Sequence, residues 1–153
     1  MVRQPAMRVI GAVFCILLLS GCGDKTPVSD DPAEWLRQLS SGVWKLDVFI
    51  QGGLRGVLSG AEITLELRLE DDTSLRGRAG CNFYGAPITV NGSALGIGPI
   101  GSTDMLCTVP KGIMDQEERY LAILKSVRSF QIRDNKLILY DAFEKSALVF
   151  SVK

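Results

Sequence analysis

The chain contains no histidine. That removes the Ser-His-Asp triad, the Cys-His dyad and every zinc site that needs an imidazole. Net charge is missing too, because 17 Lys and Arg balance 17 Asp and Glu. Dispersed, balanced charge lacks the basic patch on which nucleic-acid binding rests, so no nucleic-acid partner is expected. A run long enough to cross a bilayer is also absent from the apolar start of the chain. Residues 9–19 are apolar apart from Gly11 and Cys15, well short of the ~20 residues a spanning helix needs. No internal repeat or low-complexity stretch occurs, and 153 residues leave room for one ordinary domain.

What is present first is an address. Residues 1–8 carry Arg3 and Arg8 and no acid, the short apolar core comes next, and it ends in Leu19-Ser20-Gly21-Cys22. A basic start, a short core and small residues before a cysteine resemble the lipobox of bacterial lipoproteins. The resemblance implies that Cys22 carries a diacylglycerol and becomes the first residue after cleavage. A lipoprotein cysteine bears at least two acyl chains, enough for stable anchoring. Residues 1–21 are then a signal peptide, 22–40 a tether and short helix, and 41–153 the folded domain. Gly23, rather than an aspartate, comes directly after the cysteine. That favours the outer membrane, with the domain facing the periplasm.

The cysteines divide accordingly. Cys15 leaves with the signal and Cys22 is consumed by lipid, so Cys81 and Cys107 remain in an oxidising compartment. A disulfide between them is expected, worth roughly 3.5 kcal/mol by the chain-entropy model. A redox or metal pair would want C-x-x-C spacing or further ligands, which the sequence does not offer.

Hydropathy patterning gives mostly strands. Trp44, Leu46, Val48 and Ile50 alternate with Lys45, Asp47, Phe49 and Gln51. Ile63, Leu65, Leu67 and Leu69 alternate with Thr64, Glu66, Arg68 and Glu70. Period two with one polar face predicts half-buried antiparallel strands. Further strands are expected at 75–79, 88–90, 94–95, 130–133, 136–140 and 147–152, with tight turns at Asn91-Gly92 and Asp134-Asn135. Asp31 and Pro32 can start a short helix that Gly42 ends. Residues 115–127 form the one longer helix, with Asp115 as its cap. Tyr120, Leu121, Leu124 and Val127 make its apolar stripe, while Glu117, Glu118, Arg119 and Lys125 face water. A helix set among antiparallel strands predicts an α+β fold.

Three stretches carry a family resemblance. Gly80-Cys81-Asn82-Phe83-Tyr84-Gly85, Gly98-Pro99-Ile100 and Thr103-Asp104-Met105-Leu106-Cys107 are similar to the META domain of HslJ-type bacterial proteins. Trp44-Lys45-Leu46 fits the family's opening, and residues 117–121, 137–141 and 148–150 fit its helix and closing strands. Two departures stand out. Asp104 sits where many members carry a basic residue, and the usual glycine is missing from the last hairpin turn, Asp141-Ala142-Phe143-Glu144-Lys145. The patterning counts about eight strands, and the resemblance implies that they form a mostly antiparallel sheet curled into an incomplete barrel with one packed helix. It implies no enzymatic activity, and a general link to envelope stress, drug tolerance and heat response. A pilot-type escort of an outer-membrane protein is a fold analogy only.

Other motifs resolve into plainer readings. Gly96, Gly98 and Gly101 spell G-x-G-x-x-G, but a dinucleotide site needs a strand running directly into a helix. Here Pro99 and Pro110 break up the stretch where that helix would lie. Cys81 beside Asn82 lacks the base that a nucleophilic thiol wants. The acidic turn at residues 70–74 has too few spaced oxygen ligands for calcium. Arg76 and Arg78 alternate along a strand and form a small anion patch at most. No catalytic residue, metal site or cofactor is expected. Long loops on a rigid sheet carry function more often than other segments. The first candidate binding loop is therefore 98–112, with Gly98, Thr103, Asp104, Met105 and Leu106, and the second is 52–60. The expected protein is lipid-anchored and non-enzymatic and meets an envelope protein partner. A carrier of a lipid or small apolar ligand is the alternative.

Overall fold

The computed structural model describes residues 32–52, 54–69 and 73–153. The signal segment, Cys22, the tether, the Asp31 cap and the centre of the acidic turn lie outside the described residues. Helix α1 (Pro32–Leu39) leads into β1 (Val43–Gln51). Next come β2 (Leu54–Arg55), β3 (Ile63–Arg68), β4 (Ser74–Ala79), β5 (Phe83–Asn91), β6 (Ala94–Ile97) and β7 (Gly101–Ser102). Helix α2 (Ile113–Ser126) precedes β8 (Val127–Arg133), β9 (Lys136–Asp141) and β10 (Ser146–Val152).

Eight strands close into an antiparallel barrel in the order β1, β3, β4, β5, β6, β8, β9, β10, and β10 returns to pair with β1. The closing seam runs from Trp44↔Val152 to Gln51↔Ser146. It is prolonged by Lys153 N–H donating to Val43 O at 2.9 Å. Two-residue strands β2 and β7 attach to β1 and β5 off this circuit. The expected curled antiparallel sheet of about eight strands with one packed helix is present; two parts of the expectation are corrected, since the fold is mostly β rather than α+β and the barrel is shut rather than incomplete. Period-two patterning tells which residues face inward, but not that the first and last strands will meet. Closure removes the exposed edges that such strands would present.

The bulge in β1 corrects a second expectation. Pairing with β10 shifts between Leu46 and Val48, and an extra residue reverses the in–out alternation beyond it. Phe49 is therefore buried, while Val48 and Ile50 are only half-buried. In β3 the alternation holds throughout, with Ile63, Leu65 and Leu67 all inside. Gly77 of β4 is required by crowding. A side chain there would begin 1.9 Å from Thr64 O, a backbone atom that cannot step aside.

The interior is filled by side chains. Leu137, Leu139, Leu148 and Phe150 are fully buried, and Tyr120, Ile123 and Leu124 of α2 join the same cluster. Helix α2 touches β4 on one side and β9 and β10 on the other. β4 and β9 stand opposite each other in the ring of eight, so α2 lies across one mouth of the barrel. At the other end Leu39 closes α1 onto the core, and Trp44 Nε1 donates to Leu39 O at 3.0 Å.

Strand direction alternates around an antiparallel circuit, so the connections sort into two ends. The chain enters from α1 at one end, together with the β3–β4, β5–β6 and β8–β9 turns. The opposite, distal end carries the β1–β3 connection, the β4–β5 turn, residues 98–126 and the β9–β10 turn.

Candidate functional site

The signature residues of the sequence meet at the distal end. Gly80 has φ +114°, a conformation that favours glycine, and it turns the chain sharply after β4. Ala79 N–H donates to Asn82 O at 2.8 Å and closes that turn. The turn presents the N–H groups of Cys81 and Asn82 to one carboxylate oxygen of Glu117, at 3.1 and 2.7 Å. Asn82 Nδ2 donates to the other carboxylate oxygen at 2.6 Å. Glu117 is 5 % exposed and Asn82 2 % exposed. Three donors, two of them backbone, offset the cost of taking this carboxylate out of water. The expectation that Glu117 faces water is corrected: it is a strut between α2 and the β4–β5 turn.

Asn82 then reaches the loop beyond β7. Its Nδ2 also donates to Met105 O at 3.0 Å. Its Oδ1 accepts from Met105 N–H at 2.6 Å and from Thr103 Oγ1 at 2.8 Å. Thr103 Oγ1 in turn accepts the Phe83 N–H at 3.1 Å. The Cys81–Cys107 disulfide ties the same two segments a few residues on. G-C-N and T-x-M-x-C are thus halves of one buried knot. Most of the bonds of Asn82 cross to the loop and to α2 rather than staying within its own turn.

The knot holds a loop with a greasy surface. Leu106 is 84 % exposed, Val109 81 % and Phe83 58 %. Met105 is partly exposed, and Asp104 stands out in solvent. Of the five loop candidates, Thr103, Asp104, Met105 and Leu106 come together here. Gly98 belongs to the barrel wall, where its N–H donates to Pro87 O at 2.9 Å. Cys81 is in a disulfide and is no free thiol. Gly96 lies in β6 and Gly101 in β7, and no helix follows the G-x-G-x-x-G run directly. Arg76 lies 2.7 Å from the Glu66 carboxylate, which neutralises it, and Arg78 Nε donates to Gly80 O at 2.9 Å.

Helix α2 starts two residues before the expected position. Gly112 is its N-cap at φ 85°, no side chain caps it, and Asp115 sits in the first turn instead. Deeper in the core Tyr84 Oη lies 2.5 Å from Tyr120 Oη and donates to Thr64 O at 2.9 Å. Tyr84 has a single proton to give, so Tyr120 donates to Tyr84. Burial, with Tyr120 beside it, pushes the Tyr84 phenol well above its ordinary range, and burial does the same to Tyr120. Both stay neutral at any physiological pH. Among the described residues, no group of three or more acidic, cysteine or histidine side chains is placed to hold a metal ion.

Sequence reasoning missed Glu117 although a signal existed. It sits three residues before Tyr120 and seven before Leu124, on the buried stripe itself. A charged residue in that register, facing a glycine turn, is a strut in waiting.

Comparison with solved structures agrees with the barrel. The chain is similar to a protein from Burkholderia xenovorans solved by NMR, at 22 % identity and TM-score 0.64, covering 100 % of this chain and 99 % of that one. A second NMR structure matches at 17 % identity and TM-score 0.56, over 76 % of this chain and 92 % of the other. A crystal structure of a DUF4847 family protein from Bacteroides vulgatus matches at 12 % identity and TM-score 0.53, over 77 % and 97 %. At these identities the likeness shows the fold alone. No curated protein matches the sequence. The META domain profile matches residues 37–153, spanning the barrel, the G-C-N turn and the loop it pins, and by that match the chain belongs to the META domain family.

Proposed function

We propose that the protein is a lipid-anchored envelope protein that supports envelope maintenance or stress tolerance by binding another protein, without catalysing a reaction. The observation that carries this reading is the distal rim. Leu106 and Val109 expose large apolar surfaces on a loop that Asn82, Glu117 and the disulfide pin in place, and Phe83 adds another from the first residue of β5 beside it. A greasy loop left free would collapse onto the barrel; a pinned one presents a preorganised contact at low entropic cost. The chain enters the barrel at the end opposite this rim. A lipid on Cys22, ten residues before α1 begins, would direct the rim away from the anchoring membrane and towards a periplasmic partner. An outer-membrane location and the pilot-type escort are part of this proposal.

The carrier reading has less support. The barrel lumen is filled by Leu137, Leu139, Leu148, Phe150 and Tyr120, which a lipid would have to displace.

Cross-linking in cells tests the proposal, using the tagged full chain and a variant with Leu106→Ser and Val109→Ser. One dominant envelope protein captured by the parent and lost in the variant is expected. Capture that is unchanged in the variant would remove the rim from the reading. The anchor is tested separately by palmitate labelling, which Cys22→Ala should abolish; labelling that persists in Cys22→Ala would place the lipid elsewhere.

A further inference from the structure

The described arginines divide sharply by partner. Arg37, Arg68, Arg76 and Arg133 each lie within ion-pair distance of a carboxylate. Arg78 and Arg128 donate to backbone carbonyls. Arg55 and Arg119 alone have no oxygen partner among the described residues, and both line the same groove.

That groove lies at the distal end, between the β2 segment and α2, and has a volume of about 410 Å³. Its walls are apolar, from Phe49, Val57 and Leu58. The bulge in β1 brings Phe49 to this place, and the Arg119 guanidinium stands 5.7 Å from the centre of its ring. Attraction of the guanidinium to the ring face engages the Arg119 charge without using its N–H donors. Gln116 lines the groove as well and is buried, at 5 % exposure. Its Oε1 accepts the Leu58 N–H at 2.5 Å, and its Nε2 has no hydrogen-bond partner. Among the described residues, Asp115 contributes the single carboxylate of the lining. Two guanidiniums against one carboxylate leave one net positive charge. That suits a monoanion rather than a doubly charged phosphate. Arginine forks match a carboxylate bidentately, and the apolar walls suit the stem that carries it.

We propose that this groove binds a carboxylate borne on an apolar stem, held by Arg55 and Arg119 with Phe49, Val57 and Leu58 around the stem. A short fatty acid and a peptide C-terminus ending in an apolar residue share this chemistry. The site is independent of whether the rim binds a protein.

The test is NMR titration of the full chain in neutral detergent micelles. The probes are acetyl-Gly-Phe, the same dipeptide as its C-terminal amide, and octanoate. At least one of the two carboxylates should shift the side-chain signals of Arg55 and Arg119 and the Leu58 amide. The amide should bind at least tenfold more weakly than the dipeptide acid if the dipeptide binds. Arg55→Gln and Arg119→Gln should each weaken binding about tenfold while signals away from the groove stay in place. Arg55 lies at the exposed margin, so its variant reports on binding even if removing Arg119 disturbs Phe49. Tighter binding by octanoate would identify a lipid source, and tighter binding by the dipeptide a protein one. No shift at millimolar concentration, equal binding of acid and amide with no octanoate effect, or binding untouched by either arginine variant would overturn the proposal.

Discussion

Glu117 Oε1 stands 2.6 Å from Asn82 Nδ2, and Asn82 in turn bonds Thr103 and Met105, so the pair links α2 to both halves of the family signature. Glu117→Ala would leave the buried Cys81 and Asn82 N–H groups without an acceptor and the Asn82 amide with Met105 O alone. Each unsatisfied donor costs about 1–3 kcal/mol, partly recovered by water entering the space. A loss of roughly 3 kcal/mol in urea unfolding is expected. Asn82→Ala should in addition speed hydrogen exchange at the Met105 N–H, which bonds to Asn82 Oδ1. A loss under about 1 kcal/mol for Glu117→Ala would mean that the knot is not what holds the distal end.

Much of this is open to sequence reading, and the remainder is hidden for definite reasons. The inward residues of β3, the turn at Asn91-Gly92 and the Cys81–Cys107 pair all come from local pattern or simple counting. Barrel closure depends on Trp44 meeting Val152 across most of the chain, and no local pattern encodes which strands become neighbours. Strict alternation puts Phe49 on the wrong face because a single bulged residue shifts the phase of everything beyond it. The greasy loop is legible as a surface, but the reason it is rigid lies in Glu117, which charge alone assigns to solvent. The groove beside it gathers Arg55, Phe49 and Arg119 from three elements. Its composition exists only once the fold does.

The two tyrosines differ in what they would leave behind. Tyr84 donates to Thr64 O and accepts from Tyr120, so Tyr84→Phe strands a carbonyl and a hydroxyl together. Tyr120→Phe removes a donor and leaves Tyr84 still bonded to Thr64. The first should cost about 2–3 kcal/mol and the second about 1 kcal/mol. Paired denaturation curves decide it. Equal losses, or a larger loss for Tyr120→Phe, would reverse the assigned direction of the hydroxyl proton.

Removing the disulfide should be costly without being fatal. Replacing Cys81 and Cys107 together with alanine is expected to lower stability by about 2–4 kcal/mol. Asn82 still joins the turn to Thr103 and Met105 in that variant, so the loop should stay in place. In the native protein neither cysteine should react with iodoacetamide. After mild reduction Cys107, which is half-buried, should react before Cys81, which is fully buried. Labelling of Cys81 first would show that the distal end opens on reduction.

Acid should weaken the fold while neutral pH leaves it unchanged. Partial burial works to raise the pKa of Asp141, but N–H groups of Lys145, Phe143 and Ser146 outweigh it and hold the carboxyl below its ordinary 3.8. The same balance holds at Asp47, where burial is outweighed by bonds from Lys136 and Ser151. Both folded-state values lie below the unfolded one, so protonation favours the unfolded chain. Their contribution is complete above the unfolded value of 3.8 and is lost as pH falls through the lower folded value. With no histidine in the chain, no side chain has an ordinary pKa between 5 and 8. Thermal midpoints should therefore be level from about pH 5.5 to 8 and decline below about pH 4. Asp141 also shapes the β9–β10 turn, accepting the Phe143 and Lys145 N–H groups at 3.0 and 2.9 Å. Asp141→Asn should lower the plateau and flatten the acid decline, because the variant no longer has that proton to take up. A midpoint that instead changes steeply between about pH 6 and 7 would point to a buried group titrating far from its ordinary value.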